Sequence, residues 1–116
     1  MPYTINDEKS YSHSLEAVRA AALAAVNGLE GKLVSKSESD NPIKINFDKK
    51  ILGKVLGDRT FLEVSLDAKS AEETALRLTA YPLDAIGKKL MFGARKGVTQ
   101  TVVNWFYAHL EHNLKS

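Results

Sequence analysis

The segment Gly93-Ala94-Arg95-Lys96-Gly97-Val98-Thr99 sets two glycines, two bases and a hydroxyl just ahead of an amphipathic stretch. Backbone N–H groups at the start of a helix favour an anion, and Arg95 and Lys96 would add charge to such a site. It is not a Walker loop, because Val98 and Thr99 follow Gly97 where lysine and then serine or threonine are required. The plainer reading is a solvated loop that caps its helix. Tyr81, Phe92, Trp105, Phe106 and Tyr107 fall in the same third of the chain as Lys88, Lys89, Arg95 and Lys96. Aromatic rings among bases can stack nucleobases while neutralising phosphates. Yet the net charge is only +2, and no RNP-like segment is evident, so a nucleic-acid partner is not expected. Phe92, Trp105 and Phe106 then read as core beside a basic loop. The residues expected to touch a ligand are Arg95, Lys96, Thr99, Tyr81 and Trp105.

Other constellations carry less. His109 and His112 flank Glu111 as His-Leu-Glu-His, which is not the His-Glu-x-x-His spacing that puts two zinc ligands and a general base on one helix face. The remaining imidazole is His13, and no metal or other cofactor is implied. Glu72, Glu73, Asp48, Asp58 and Asp67 sit in or beside turns, and spacing alone does not hold two of them across a pocket for acid–base work. Ser10, Ser12 and Ser14 lack the Gly-x-Ser-x-Gly elbow of a nucleophile. Catalysis would require convergence from separate segments, such as Arg77 and Tyr81 with a turn carboxylate.

A chain of 116 residues has the length of a single domain, here 1–116. Cysteine is absent, which removes disulfides, thiolate zinc sites and thiol nucleophiles from consideration and fits a reducing compartment. The polar N-terminus lacks the apolar core of a secretory signal, and no apolar run is long enough to span a bilayer, so the expected location is cytoplasmic. Charge is segregated: residues 44–59 sum to +3, residues 60–84 to −3, and residues 85–110 carry four bases and no acid.

The elements that must position these groups are legible from periodicity. Ser14 is a good N-cap, and Leu15, Val18, Ala22, Val26 and Leu29 follow at helical spacing, with Asn27 and Gly28 as the expected stop. The alanines of this helix keep its faces thin enough to lie close to a sheet. Tyr3 to Asn6 is a candidate edge strand ahead of it. Short runs then alternate with turns: Lys32 to Glu38, Ile43 to Phe47, Thr60 to Asp67 and Ala75 to Tyr81. Between them, Ile51, Leu52, Val55 and Leu56 suit either one helical turn or an irregular strand. Pro82 should take the chain out of the sheet, and residues 83–97 read as a short helical turn and a glycine-rich loop. Val98, Val102, Val103, Phe106, Leu110 and Leu114 form the stripe of a final long helix, with Trp105 on its flank.

The fold class is therefore α+β, β-α-β(4)-α, an antiparallel sheet packed against an N-terminal helix and a long C-terminal one. This order of elements resembles the TBP-like arrangement and a shortened form of the helix-grip layout of START-like lipid-binding domains. The resemblance implies an apolar ligand held between the curved sheet and the last helix. The family's second short helix and extra strands are missing from the pattern, which implies a smaller cavity or none. The expected function is a non-catalytic binding module for an apolar small molecule or a protein partner, a second copy of the chain among them; anion or nucleic-acid binding through residues 88–99, and a small enzyme without a motif, are the alternatives.

Overall fold

The computed structural model describes residues 4–34, 41–84, 86–90 and 97–115. Strand β1 (Ile5–Tyr11) leads into helix α1 (Leu15–Gly28), then β2 (Lys32–Leu33), β3 (Ile43–Phe47), the small pair β4 (Lys50–Ile51) and β5 (Lys54–Val55), two long strands β6 (Arg59–Ser70) and β7 (Glu73–Leu83), and helix α2 (Val98–Lys115). The main sheet has the order β1-β7-β6-β3-β2 and is antiparallel throughout. The expected β-α-β(4)-α frame is this sheet with its two helices, and the β4–β5 hairpin is an addition to it.

Alternation in the strands decides which face is dry. Ile43, Ile45 and Phe47 of β3, Leu62, Val64 and Leu66 of β6, and Leu76, Leu78 and Ala80 of β7 all point to one side and are buried. Both helices lie on that side and pack against each other. Val102, Phe106 and Leu110 join Ile45, Phe47, Val64 and Leu78 in one buried cluster, as the two apolar periodicities require. Helix α1 brings Ala21, Ala22 and Ala25 to the same core, and small side chains let it approach closely.

Several boundaries differ from the sequence expectation. The first strand is longer, because Ile5 to Tyr11 pairs residue by residue with Ala80 to Thr74 of β7. Pro82 stays inside β7, opposite Thr60 of β6. Registered pairing with β1 has already ended at Ile5 and Ala80, so the proline's missing N–H costs no described ladder bond. The turn after β7 is not helical: Asp84 accepts at Oδ1 from the N–H groups of Ile86 (3.0 Å) and Lys88 (2.8 Å), folding the chain back so that Lys89 bridges Leu83. The start of α1 is as expected, with the Ser14 hydroxyl accepting from the Ala17 N–H at 3.1 Å.

Helix α1 ends at Gly28, where its stop was expected, but the glycine is not the left-handed residue. Gly28 remains helical, where it leaves room for the His109 imidazole, and the left-handed residue is Glu30, with φ of 63°. The N–H of Glu30 donates to Asn27 and that of Gly31 to Val26, a Schellman closure shifted past the glycine. Gly31 is needed for a different reason: it faces the packed side chains of Phe47, Ile45 and Val26.

Where β1 meets α2, a polar cluster closes the edge of the core. The Tyr11 hydroxyl donates to Glu111 Oε2 at 2.9 Å, Lys9 Nζ reaches the same oxygen at 3.2 Å, and Lys9 also lies 4.1 Å from the Tyr107 ring centre. Burial raises both tyrosines above their ordinary value of 10.0, reinforced at Tyr11 by Glu111 and at Tyr107 by Asp7. For Glu111, burial pushes upward but the bonds from Tyr11 and Lys9 outweigh it and hold the carboxyl below its usual range. The raised tyrosines keep protons in the folded state that the unfolded chain gives up. Their contribution is intact below pH 10 and is lost as pH climbs above it. A Tyr11→Phe, Tyr107→Phe double variant should therefore show a flatter fall of thermal midpoint above pH 10 than the parent, measured by circular dichroism. An unchanged alkaline slope would show that these hydroxyls do not govern it.

Candidate ligand-binding site

The segment that sequence left open, 48–58, is a hairpin with a two-residue turn, Ile51 pairing with Lys54 across Leu52 and Gly53. Both turn residues have positive φ, 52° at Leu52 and 81° at Gly53, as a type I′ turn requires. Glycine takes this conformation freely, and asparagine is the usual residue at the first position; leucine is not. Leu52 is moreover 57% exposed and its neighbour Val55 is 73% exposed, whereas Ile51 is buried. The hairpin is tied to the end of α1 by the Leu52 N–H, which donates to Glu30 Oε1 at 2.9 Å. The two non-glycine residues with positive φ among those described are thus bonded to each other.

Beside this tie lies a recess of about 300 Å³, lined by Leu29, Ile51, Leu52, Lys54, Trp105 and His109. Leu29 comes from the end of α1, the next three from the hairpin, and Trp105 and His109 from α2, one helical turn apart on one face. The floor is apolar. Lys54 Nζ stands 6.0 Å from the Trp105 ring centre, at the outer limit of a cation–π contact. The volume matches the small end of ligand sites.

The interior between the sheet and α2, where a helix-grip ligand was expected, is packed. Ile45, Val64, Val102, Phe106 and Leu110 are fully buried and Phe47 and Leu78 are 1% exposed, so at these residues no sphere the size of a water fits between sheet and helix.

The structure disperses the five residues expected to touch a ligand. Trp105 lines the recess. Tyr81 is on the opposite, outer face of the sheet, its ring 5.0 Å from that of Phe61 and 4.8 Å from Lys89 Nζ. Arg77 shares that outer face, opposite Ser65 and Glu8, with no carboxylate drawn to it and Tyr81 together in a described pocket. Thr99 is buried at 8% exposure in the first turn of α2. Arg95 and Lys96 lie outside the described residues, as do Phe92 and Gly93. His112 is exposed while His109 packs on Gly28, and among the described residues no three of His, Asp and Glu gather as metal ligands would. No helix among the described residues is long and apolar enough to cross a membrane. Reading by type and spacing missed Leu29, Ile51, Leu52, Lys54 and His109; the available signal was Leu-Gly in place of Asn-Gly at a tight turn.

Sheet order, antiparallel register and the long final helix give this chain an α+β, helix-grip arrangement, one antiparallel sheet packed against two helices. No family model matches the chain, and no curated protein matches it. Among solved structures, a putative uncharacterized protein from Bacillus thuringiensis is similar over 97% of this chain and 99% of its own, with TM-score 0.60 and 6% identity. A conserved protein from Geobacillus kaustophilus is similar over 97% of this chain and 95% of its own, with TM-score 0.56 and 12% identity. A START superfamily protein from Mycobacterium smegmatis has TM-score 0.49 and 8% identity over 97% of this chain and 94% of its own. For the first two, at such identities, the likeness is one of fold.

Proposed function

We propose that the protein is a non-catalytic binding module for a small apolar molecule, which it holds in the recess between the β4–β5 hairpin and α2. The observation that carries this reading is Leu52: an exposed leucine kept at a positive φ where asparagine would sit without strain. A residue that breaks the local rule and gains no burial points to a role outside stability. Leu52 and Trp105 would close on the ligand from two sides, with Ile51 and Leu29 beneath.

Trp105 is the sole tryptophan of the chain, so its emission reports on the recess directly. The expected result is a saturable change in Trp105 fluorescence on titration with 1-octanol. Leu52→Asn should raise the unfolding free energy by about 0.5 to 1 kcal/mol, because asparagine tolerates the turn conformation, and at the same time weaken octanol binding several-fold. The backbone N–H to Glu30 is kept in this variant. A variant that is less stable than the parent, or that binds octanol equally well, would remove the basis for assigning Leu52 to a ligand.

A further inference from the structure

We infer that the preferred ligand is an amphipathic carboxylate, its apolar body lying against Trp105 and its carboxylate at the mouth between Lys54 and His109; this rests on the binding reading above. The side chains with polar ends that line the recess are Lys54, His109 and the Trp105 indole; all three offer N–H groups to an anion, and Lys54 alone of them is an ammonium. Lys54 is on the exposed strand β5, and its ammonium lies 6.0 Å from the centre of the indole ring that forms the apolar wall. A charge held beside an aromatic face meets a ligand whose charged head and apolar body are adjacent. The acid bonded to the hairpin, Glu30, lines a separate recess in which three bases, Lys32, Lys50 and Arg59, stand with one further acid, Asp48. Glu30 Oε1 is engaged by the Leu52 N–H. The surrounding segment 44–59 has a net charge of +3, so the local field favours an anion over a cation. An alcohol of the same length would gain the apolar contact alone. A carboxylate would add a charge-assisted hydrogen bond from Lys54.

The test compares octanoate with 1-octanol at pH 7.5 and low salt, reading Trp105 emission, for the parent and for Lys54→Met. Methionine preserves the apolar stem and removes the charge. Octanoate should bind the parent about five- to ten-fold more tightly than octanol, one charge-assisted contact at an exposed site. The preference, read as the ratio of octanoate to octanol affinity within each protein, should vanish in Lys54→Met and should shrink in the parent at 0.5 M salt. Octanol binding without a carboxylate preference, or a preference that survives Lys54→Met, overturns the carboxylate assignment and leaves the apolar site intact. Binding of neither compound overturns both.

Discussion

Replacing Phe106 with alanine is expected to destabilise the protein by about 3 to 5 kcal/mol, the largest effect of any single substitution considered for it. The ring is wholly buried, and it sits in the middle of the α2 stripe between Val102 and Leu110, within the cluster that also contains Phe47, Val64 and Leu78. Truncation removes its transfer energy and leaves a void that the paired strands β6 and β7 cannot close, because their spacing is fixed by the ladder. Urea unfolding followed by far-ultraviolet circular dichroism measures the loss, and Phe106→Leu should lose distinctly less. A change below about 1 kcal/mol for the alanine variant would place Phe106 outside the core.

Gly31→Ala should destabilise by about 1 to 3 kcal/mol through the opposite defect, too much volume. An ideal Cβ at this position would stand 2.7 Å from Phe47 Cε1, 2.8 Å from Ile45 Cγ2 and 3.0 Å from Val26 Cγ1. Phe47 and Ile45 are themselves buried on β3, so neither can swing aside into solvent. The added methyl group therefore moves either the sheet or the end of α1. Because Glu30 follows that helix end and holds the hairpin through Leu52, the variant should also alter Trp105 emission in the absence of any ligand. Thermal and urea unfolding check the first effect and an emission spectrum the second. Gly53→Ala, where nothing lies within 4 Å of the added carbon, provides the contrast: its cost comes from the positive φ alone.

The two helices, the alternating strands and the antiparallel character of the sheet were legible in the chain. Each depends on a period set by local geometry: 3.6 residues for the stripe of Val102, Phe106 and Leu110, and two for Ile43, Ile45 and Phe47. Ser14 likewise announced the start of α1 through a bond made within one turn. The helix stop at Gly28 was legible too, but the residue that takes the left-handed turn and the hairpin were not, and both fail for one reason. Gly28 reads as a terminator, but its missing side chain serves the close approach of His109 from a helix far along the chain. The left-handed turn passes instead to Glu30. Ile51 and Leu52 read as an ambiguous apolar pair because their partners, Leu29 and Trp105, come from two other elements.

The same limit applies to the site. Sequence supplied Trp105 as an aromatic on the flank of a helix but did not distinguish Lys54 from the other bases of a positive segment. It also grouped Tyr81 with Trp105 because both lie late in the chain, whereas the pleat turns Tyr81 to the outer face of the sheet. Residue type and period determine which face of an element is dry. What stands opposite that face, and so whether a tryptophan meets a hairpin leucine or a lysine, depends on contacts between distant segments, and these the tertiary structure alone decided.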